Sequence, residues 1–211
     1  MRFSSMLVSA FVVLVALAMP LRAVAQEASP AAGQMACTAE PRDIDEMLAL
    51  WFNAEGTPAA TPTMAEPVSD AAALPQGSAP DQATVDAITA TTQGFIECLV
   101  VEGQYARGFS YFTDHALAQL GPDVTNPEQD TPEEVRAALE GQLAGTPIAG
   151  EEGMGQMPPV TGPVDARMLP DGRAGAIWSL QGDAIFLVYT QQDNRWLIDD
   201  VVDIIEGEST P

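Results

Sequence analysis

Asp200 is the residue whose type and setting best fit chemistry. On the last apolar stretch of the chain, strict alternation puts Asp200 on one face with Trp196, Ile198, Val202 and Ile204. The opposite face carries Leu197, Val201 and Ile205 with Asp199 and Asp203. A carboxylate among apolar side chains resists ionisation and can serve as a general acid or base. Tyr105, Tyr111 and Tyr189 offer hydroxyls to work with it. His115, the one histidine, is a base by type near neutral pH; it also follows Asp114 at a helix start, where a solvent-facing polar side chain is equally natural. For Asp200 the competing reading is a rim aspartate, or one paired with Arg107 or Arg136, and a slip of one residue in register inverts the two faces.

No cofactor or metal is expected. The chain has no G-x-S-x-G, no phosphate-binding loop, no dinucleotide fingerprint and no paired-cysteine redox motif. Cys37 and Cys98 with a single histidine do not make a zinc set, and Asp199, Asp200 and Asp203 lack EF-hand spacing. Met154 and Met157 are read as loop residues, and Trp51, Trp178 and Trp196 as core or docking residues. The two cysteines are expected to form a disulfide, with two separate buried thiols as the alternative. Such a bridge, 61 residues apart in sequence, stabilises by about 4 kcal/mol in the chain-entropy model.

The compartment follows from residues 1–25. Arg2 precedes an apolar run over 6–19 broken only by Ser9, Pro20 ends it, and Ala23-Val24-Ala25 supplies the small residues of a cleavage site. This predicts a cleaved signal peptide and a secreted, extracytoplasmic product, since the run is too short for a bilayer. The 211 residues carry 30 acids against eight basic residues, every one an arginine, for a net charge of −22. That surface repels phosphate backbones and anionic lipid heads, so neither a nucleic acid nor a membrane, beyond the signal peptide, is expected as a partner.

Residues 26–53 hold a short amphipathic helix with Ile44, Met47, Leu48, Trp51 and Phe52 in one stripe. Residues 54–80, with Pro58, Pro62, Pro67, Pro75 and Pro80, read as a semi-extended linker. Residues 81–206 are the expected domain, with 207–211 as a tail. In it, Val85, Ile88, Thr92, Phe95, Ile96 and Leu99 share one helix face ending near Gly103, and Tyr105, Phe109 and Phe112 line a second helix. A third is expected from Thr113 through Leu120, stopped by Gly121-Pro122; Thr131-Pro132-Glu133-Glu134 is a capping box opening a fourth. Residues 146–163, rich in Gly, Pro and Met, are expected to be a mobile loop. Strands are predicted over 164–169, 174–180, 184–190 and 196–205, separated by turn sequences, as an antiparallel meander. Helices first and a sheet after is an α+β layout.

The stretches TTQGFIECLVVEGQYARGFSYFTDHALAQL (91–120) and AIFLVYTQQDNRWLIDDVVDI (184–204) together resemble the NTF2-like (SnoaL-like) α+β cone fold, over about 60% of the chain. The resemblance rests on the long helix, the break at Glu102-Gly103, the aromatic second helix running into Phe112-Thr113-Asp114, and the terminal hairpin with Trp196-Leu197-Ile198. The whole chain, with CTAEPR at 37–42 ahead of a Pro/Ala linker, looks like secreted bacterial proteins that carry such a domain. The resemblance implies N-terminal helices packed on a curved antiparallel sheet, a pocket in the cone, and homodimers through the sheet. Some relatives of this kind place carboxylates and tyrosines in the cone, which is where Asp200, Tyr105, Tyr111 and His115 would act. The family's first strand, between the early helices, has no counterpart in this sequence. The fold does not set one activity. The leading expectation is a secreted non-catalytic domain binding a small apolar ligand or a partner protein; the alternatives are an isomerase or hydrolase using a pocket carboxylate, and a structural or dimerisation module.

Overall fold

A computed structural model describes residues 37–59, 66–68, 73–124, 131–144, 160–180 and 183–204. The predicted signal peptide, residues 26–36, most of the loop at 146–163 and the tail lie outside the described residues. Five helices precede four strands: α1 (Ile44–Trp51), α2 (Gln82–Phe95), α3 (Tyr105–Gly108), α4 (Asp114–Val124), α5 (Pro132–Leu143), then β1 (Thr161–Met168), β2 (Ala174–Leu180), β3 (Asp183–Gln192) and β4 (Arg195–Ile204). The fold is α+β.

Local chemistry accounts for most element boundaries. The Asp43 side chain accepts from Glu46 N–H to start α1, and Asp81 accepts from Thr84 N–H to start α2. Thr131 and Glu134 close a reciprocal capping box on α5, with Pro132 in its first turn. Between β1 and β2, Gly172 takes φ +88°, and the two-residue β3–β4 turn puts both Asp193 and Asn194 at positive φ. Those side chains tolerate the left-handed region that a twisted hairpin demands.

Three helical expectations need correction. The second helix is only one turn, α3, followed by a 3-10 turn over Phe109–Tyr111. Phe112 is already extended and bridges Ile198 of β4 in parallel, so it leaves the helical stripe to join the sheet edge. The third helix does not stop at Gly121-Pro122 but runs to Val124. Gly121 serves close packing there: a Cβ would meet Trp51 Cδ1 at 2.8 Å, and the Trp51 indole donates to Leu117 O. Past Phe95, α2 continues as a π-turn over Ile96–Val101, a register that carries Cys98 inward. Of the loop expected over 146–163, Thr161, Gly162 and Pro163 belong to β1.

The strands form one antiparallel sheet in the order β1-β2-β3-β4. One side faces the helices: Trp178, Leu187, Tyr189 and Ile198 pack with Ile88, Phe109, Phe112 and Leu117, all 5% exposed or less. The α1 stripe, Met47, Leu48 and Trp51, belongs to this same core.

The other side of the sheet is covered by the chain itself. Residues 66–68 and 73–80, inside the segment expected to be a linker, cross it as a strap. Val68 bridges Ile204 in parallel, on edge strand β4. Ser78 exchanges two backbone hydrogen bonds with Met168, on the opposite edge strand β1. Between them Leu74, 2% exposed, packs on Leu169, Phe186, Val188 and Val202. Arg167, 7% exposed, lies over the Phe186 ring at 5.6 Å, donates to Pro75 O and pairs with Asp165. Gly175 makes room for that ring, since a Cβ would meet Phe186 Cζ at 2.2 Å. A Pro-rich segment without periodicity still docks here, through Leu74 and Val68, the backbone pairings of Val68 and Ser78, and the Arg167 bond to Pro75 O.

Cys37 and Cys98 form a disulfide. It fastens residues 37–42 along α3, where Arg42 N–H donates to Ala106 O and Arg107 donates to Ala39 O. Arg42 also reaches Phe112 O and Asp114, which ties the start of α4 to this segment.

Candidate functional site

Among the described residues, the most deeply buried polar pair of the helix-facing interior is Thr92 and Tyr189. Thr92 is fully buried on α2 and donates to Ile88 O. Its hydroxyl lies 2.6 Å from the hydroxyl of Tyr189, which is equally buried, so Tyr189 supplies the proton of that contact. Burial pushes the Tyr189 phenol well above its ordinary value, against the smaller effect of the Thr92 hydrogen bond. The indole N–H of Trp178 approaches the same hydroxyl but completes no hydrogen bond. Tyr189 is thus a neutral structural donor, fully buried in the same core as the edge-on ring pairs Trp51–Phe109 at 5.7 Å and Phe95–Phe112 at 5.3 Å.

Asp200 is not in this interior. Ile198 pairs with Tyr189, and Asp200 pairs with Val188, so Asp199 is an extra residue in β4. This bulge resets the alternation. Trp196 and Ile198 stay on the helix side, while Asp200 joins Val202 and Ile204 on the strap side. The face derived by strict alternation therefore does not exist. Asp200 is half-buried, and its carboxylate accepts from the Val201 N–H. Neither Arg107 nor Arg136 pairs with it: Arg107 donates to Ala39 O and to no carboxylate among the described residues, and Arg136 pairs with Asp45 and Glu140.

The bulge turns Asp199 toward α4 and the β1–β2 turn instead. It accepts from the Thr113 hydroxyl at 2.9 Å and from Arg173 at 3.1 Å. Thr113, 2% exposed, in turn accepts from Ala116 N–H at the start of α4. Burial lowers the Arg173 pKa, and the hydrogen bonds it donates to Asp171 and Asp199, with their charges, more than offset this, leaving it raised. This is a joint between the β1–β2 turn, β4 and α4, and every group in it already has a partner.

The remaining candidates are dispersed. His115 is exposed on α4, with Gln119 at 3.3 Å. Tyr105 opens α3, its ring edge-on to Phe109 at 5.8 Å and its N–H donating to Gln142. Tyr111 lies elsewhere, at a cleft of about 190 Å³ walled by Cys37, Thr38, Gln93, Gly94, Glu97 and Cys98. A second, wider depression runs between the end of α1 and the start of α5, along Leu48, Phe52, Asn53, Pro132, Glu133 and Arg136. Glu97, Gln93 and Gly94 were not among the sequence candidates; the one available signal was a glycine inside a long helical run. Among the described residues no group of three metal-ligating side chains converges, and no helix is long and apolar enough to cross a membrane. Comparison with family models, curated proteins and solved structures returns no match for this chain.

Proposed function

We propose that the chain is a secreted, non-catalytic binding module of NTF2-like (SnoaL-like) architecture that engages its ligand or partner on its surface clefts. The observation that carries this is the bulge at Asp199. With Asp200 on the strap side, no carboxylate or histidine is among the buried residues described; Asp199 reaches the interior only at its edge, where Thr113 and Arg173 already hold it. General acid–base chemistry needs such a group within hydrogen-bond reach of a substrate. The Cys37–Cys98 bridge supports an extracytoplasmic setting. The strap occupies the sheet face through which the resemblance implied dimers, which favours binding elsewhere.

The test is incubation of the purified mature protein with culture-medium extract, followed over time by untargeted mass spectrometry. The expected result is an unchanged small-molecule profile, with a ligand or partner retained on the protein in native mass spectrometry. A product that accumulates with time and protein, and is lost in Asp200→Asn, overturns the reading.

A further inference from the structure

The cleft beside the disulfide is built differently from the rest of the surface. Gly94, within α2, is among the residues that line it. A glycine within a helical run costs about 1 kcal/mol relative to alanine. Here it seats the phenol end of Tyr111: a Cβ at Gly94 would meet Tyr111 Cζ and Oη at 2.4 Å each, and Cε1 at 2.7 Å. The Cys37–Cys98 bridge and Thr38 line it together with Gln93 and Glu97, one helical turn apart on α2 and its π-turn. The Glu97 carboxylate, the Gln93 amide and the Tyr111 hydroxyl have no hydrogen-bond or ion-pair partner among the described residues.

The chemistry of this lining selects its occupant. A lone carboxylate repels anions, and its desolvation penalises a purely apolar guest. A metal ion would find one carboxylate and too few further ligands. A carboxylate, an amide oxygen, an aromatic ring and an apolar disulfide wall together suit a soft organic cation, which gains from charge and ring at once. About 190 Å³ accommodates a headgroup rather than a drug-sized molecule. The net charge of −22 draws cations toward every part of this surface, and the cleft gives them shape and a ring.

We propose that the Gln93–Glu97–Tyr111 cleft binds the ammonium or guanidinium headgroup of an organic cation. This deepens the surface-binding reading and rests on it. The headgroup belongs either to a free amine or guanidine or to an arginine or lysine side chain of a partner polypeptide.

The experiment is an amide-resolved NMR titration of the oxidised mature protein at low ionic strength. The probes are tetramethylammonium chloride, guanidinium chloride and an acetylated Gly-Arg-Gly amide peptide, with potassium chloride as the control. Saturable shifts at Gly94, Glu97 and Tyr111 with the organic cations, absent with potassium, are expected. Glu97→Gln and Tyr111→Leu are each expected to weaken binding by about tenfold, while Tyr111→Phe, which keeps the ring, weakens it less. Glu97 has no partner to lose, so the first variant leaves the fold intact. Equal affinities for free headgroups and peptide assign a small molecule; much tighter peptide binding assigns a partner side chain. Shifts identical with potassium chloride, or an unchanged affinity in Glu97→Gln, overturn the proposal. That failure leaves the binding-module reading standing, because only turnover removes the latter.

Discussion

The two sides of the sheet are sealed in opposite ways. On the helix side, rings from four separate elements interlock: Trp51 of α1, Phe109 and Phe112 after α3, Trp178 of β2 and Tyr189 of β3, with a disulfide holding the outermost segment. On the strap side, residues 66–68 and 73–80 lay Leu74, with Val68 beside it, on apolar residues of the sheet and hydrogen-bond at each of its edges. Interdigitated rings have no partial way to leave; an extended strap can lift from either end. The first arrangement makes a core, the second a cover. That difference bears on function, because a candidate carboxylate on the core side would be held for chemistry, whereas Asp200 on the cover side is only edge structure.

The contrast can be broken most severely from the core side. Trp178→Ala should cost about 3–5 kcal/mol, read as a lower denaturant midpoint at an unchanged slope, since Trp178 is 2% exposed among rings that cannot close the gap. Leu74→Ala should cost about 2 kcal/mol, near the low end for a buried leucine, because the strap can settle. Its signature is local: faster hydrogen exchange at Val68, Ser78 and Met168, with amides of α4 such as Leu117 unchanged. Equal acceleration on both sides would show that cover and core are one cooperative unit.

The smallest effect separates the sides by pH. Hydrogen bonds from Thr84 hold the Asp81 carboxyl below its usual range, and those from Thr131 do the same for Glu134. A carboxyl whose folded value is depressed stabilises above its unfolded value and loses that contribution as pH falls through the folded one. Acidification below the ordinary carboxylate range should therefore fray the first turns of α2 and α5, visible as amide exchange at Thr84 and Glu134. The strap pairings at Val68 and Ser78 use no capping carboxylate and should persist.

What was legible in the sequence follows the same division. Helix stripes, the capping box, the Pro-Asp-Gly turn and the Asp193-Asn194 turn are local signals, and the four strands fall within a few residues of their expected bounds. The Cys37–Cys98 pair was readable from its count and compartment. The strap was not, because Val68 and Leu74 are single apolar residues in a Pro/Ala-rich stretch, and their partners are about a hundred residues away. Nor was the bulge. Alternation assumes period two throughout, and the extra residue at Asp199 has no sequence mark beyond the Asp199-Asp200 doublet in an apolar strand. One misplaced residue moved the leading catalytic candidate to the wrong face. The cleft was missed for a related reason: Tyr111 comes beside Gln93 and Glu97 by seating on Gly94, a contact that no local pattern announces.

The central claim, that Asp200 lies outside the helix-covered interior, is tested most directly by side-chain proton contacts in solution. Nuclear Overhauser contacts from the Asp200 β-protons to the Val188 methyls, with none to Ile198 or Trp178, are the predicted result. Contacts from Asp200 to Trp178 and Ile198 would contradict the account and return a carboxylate to the interior.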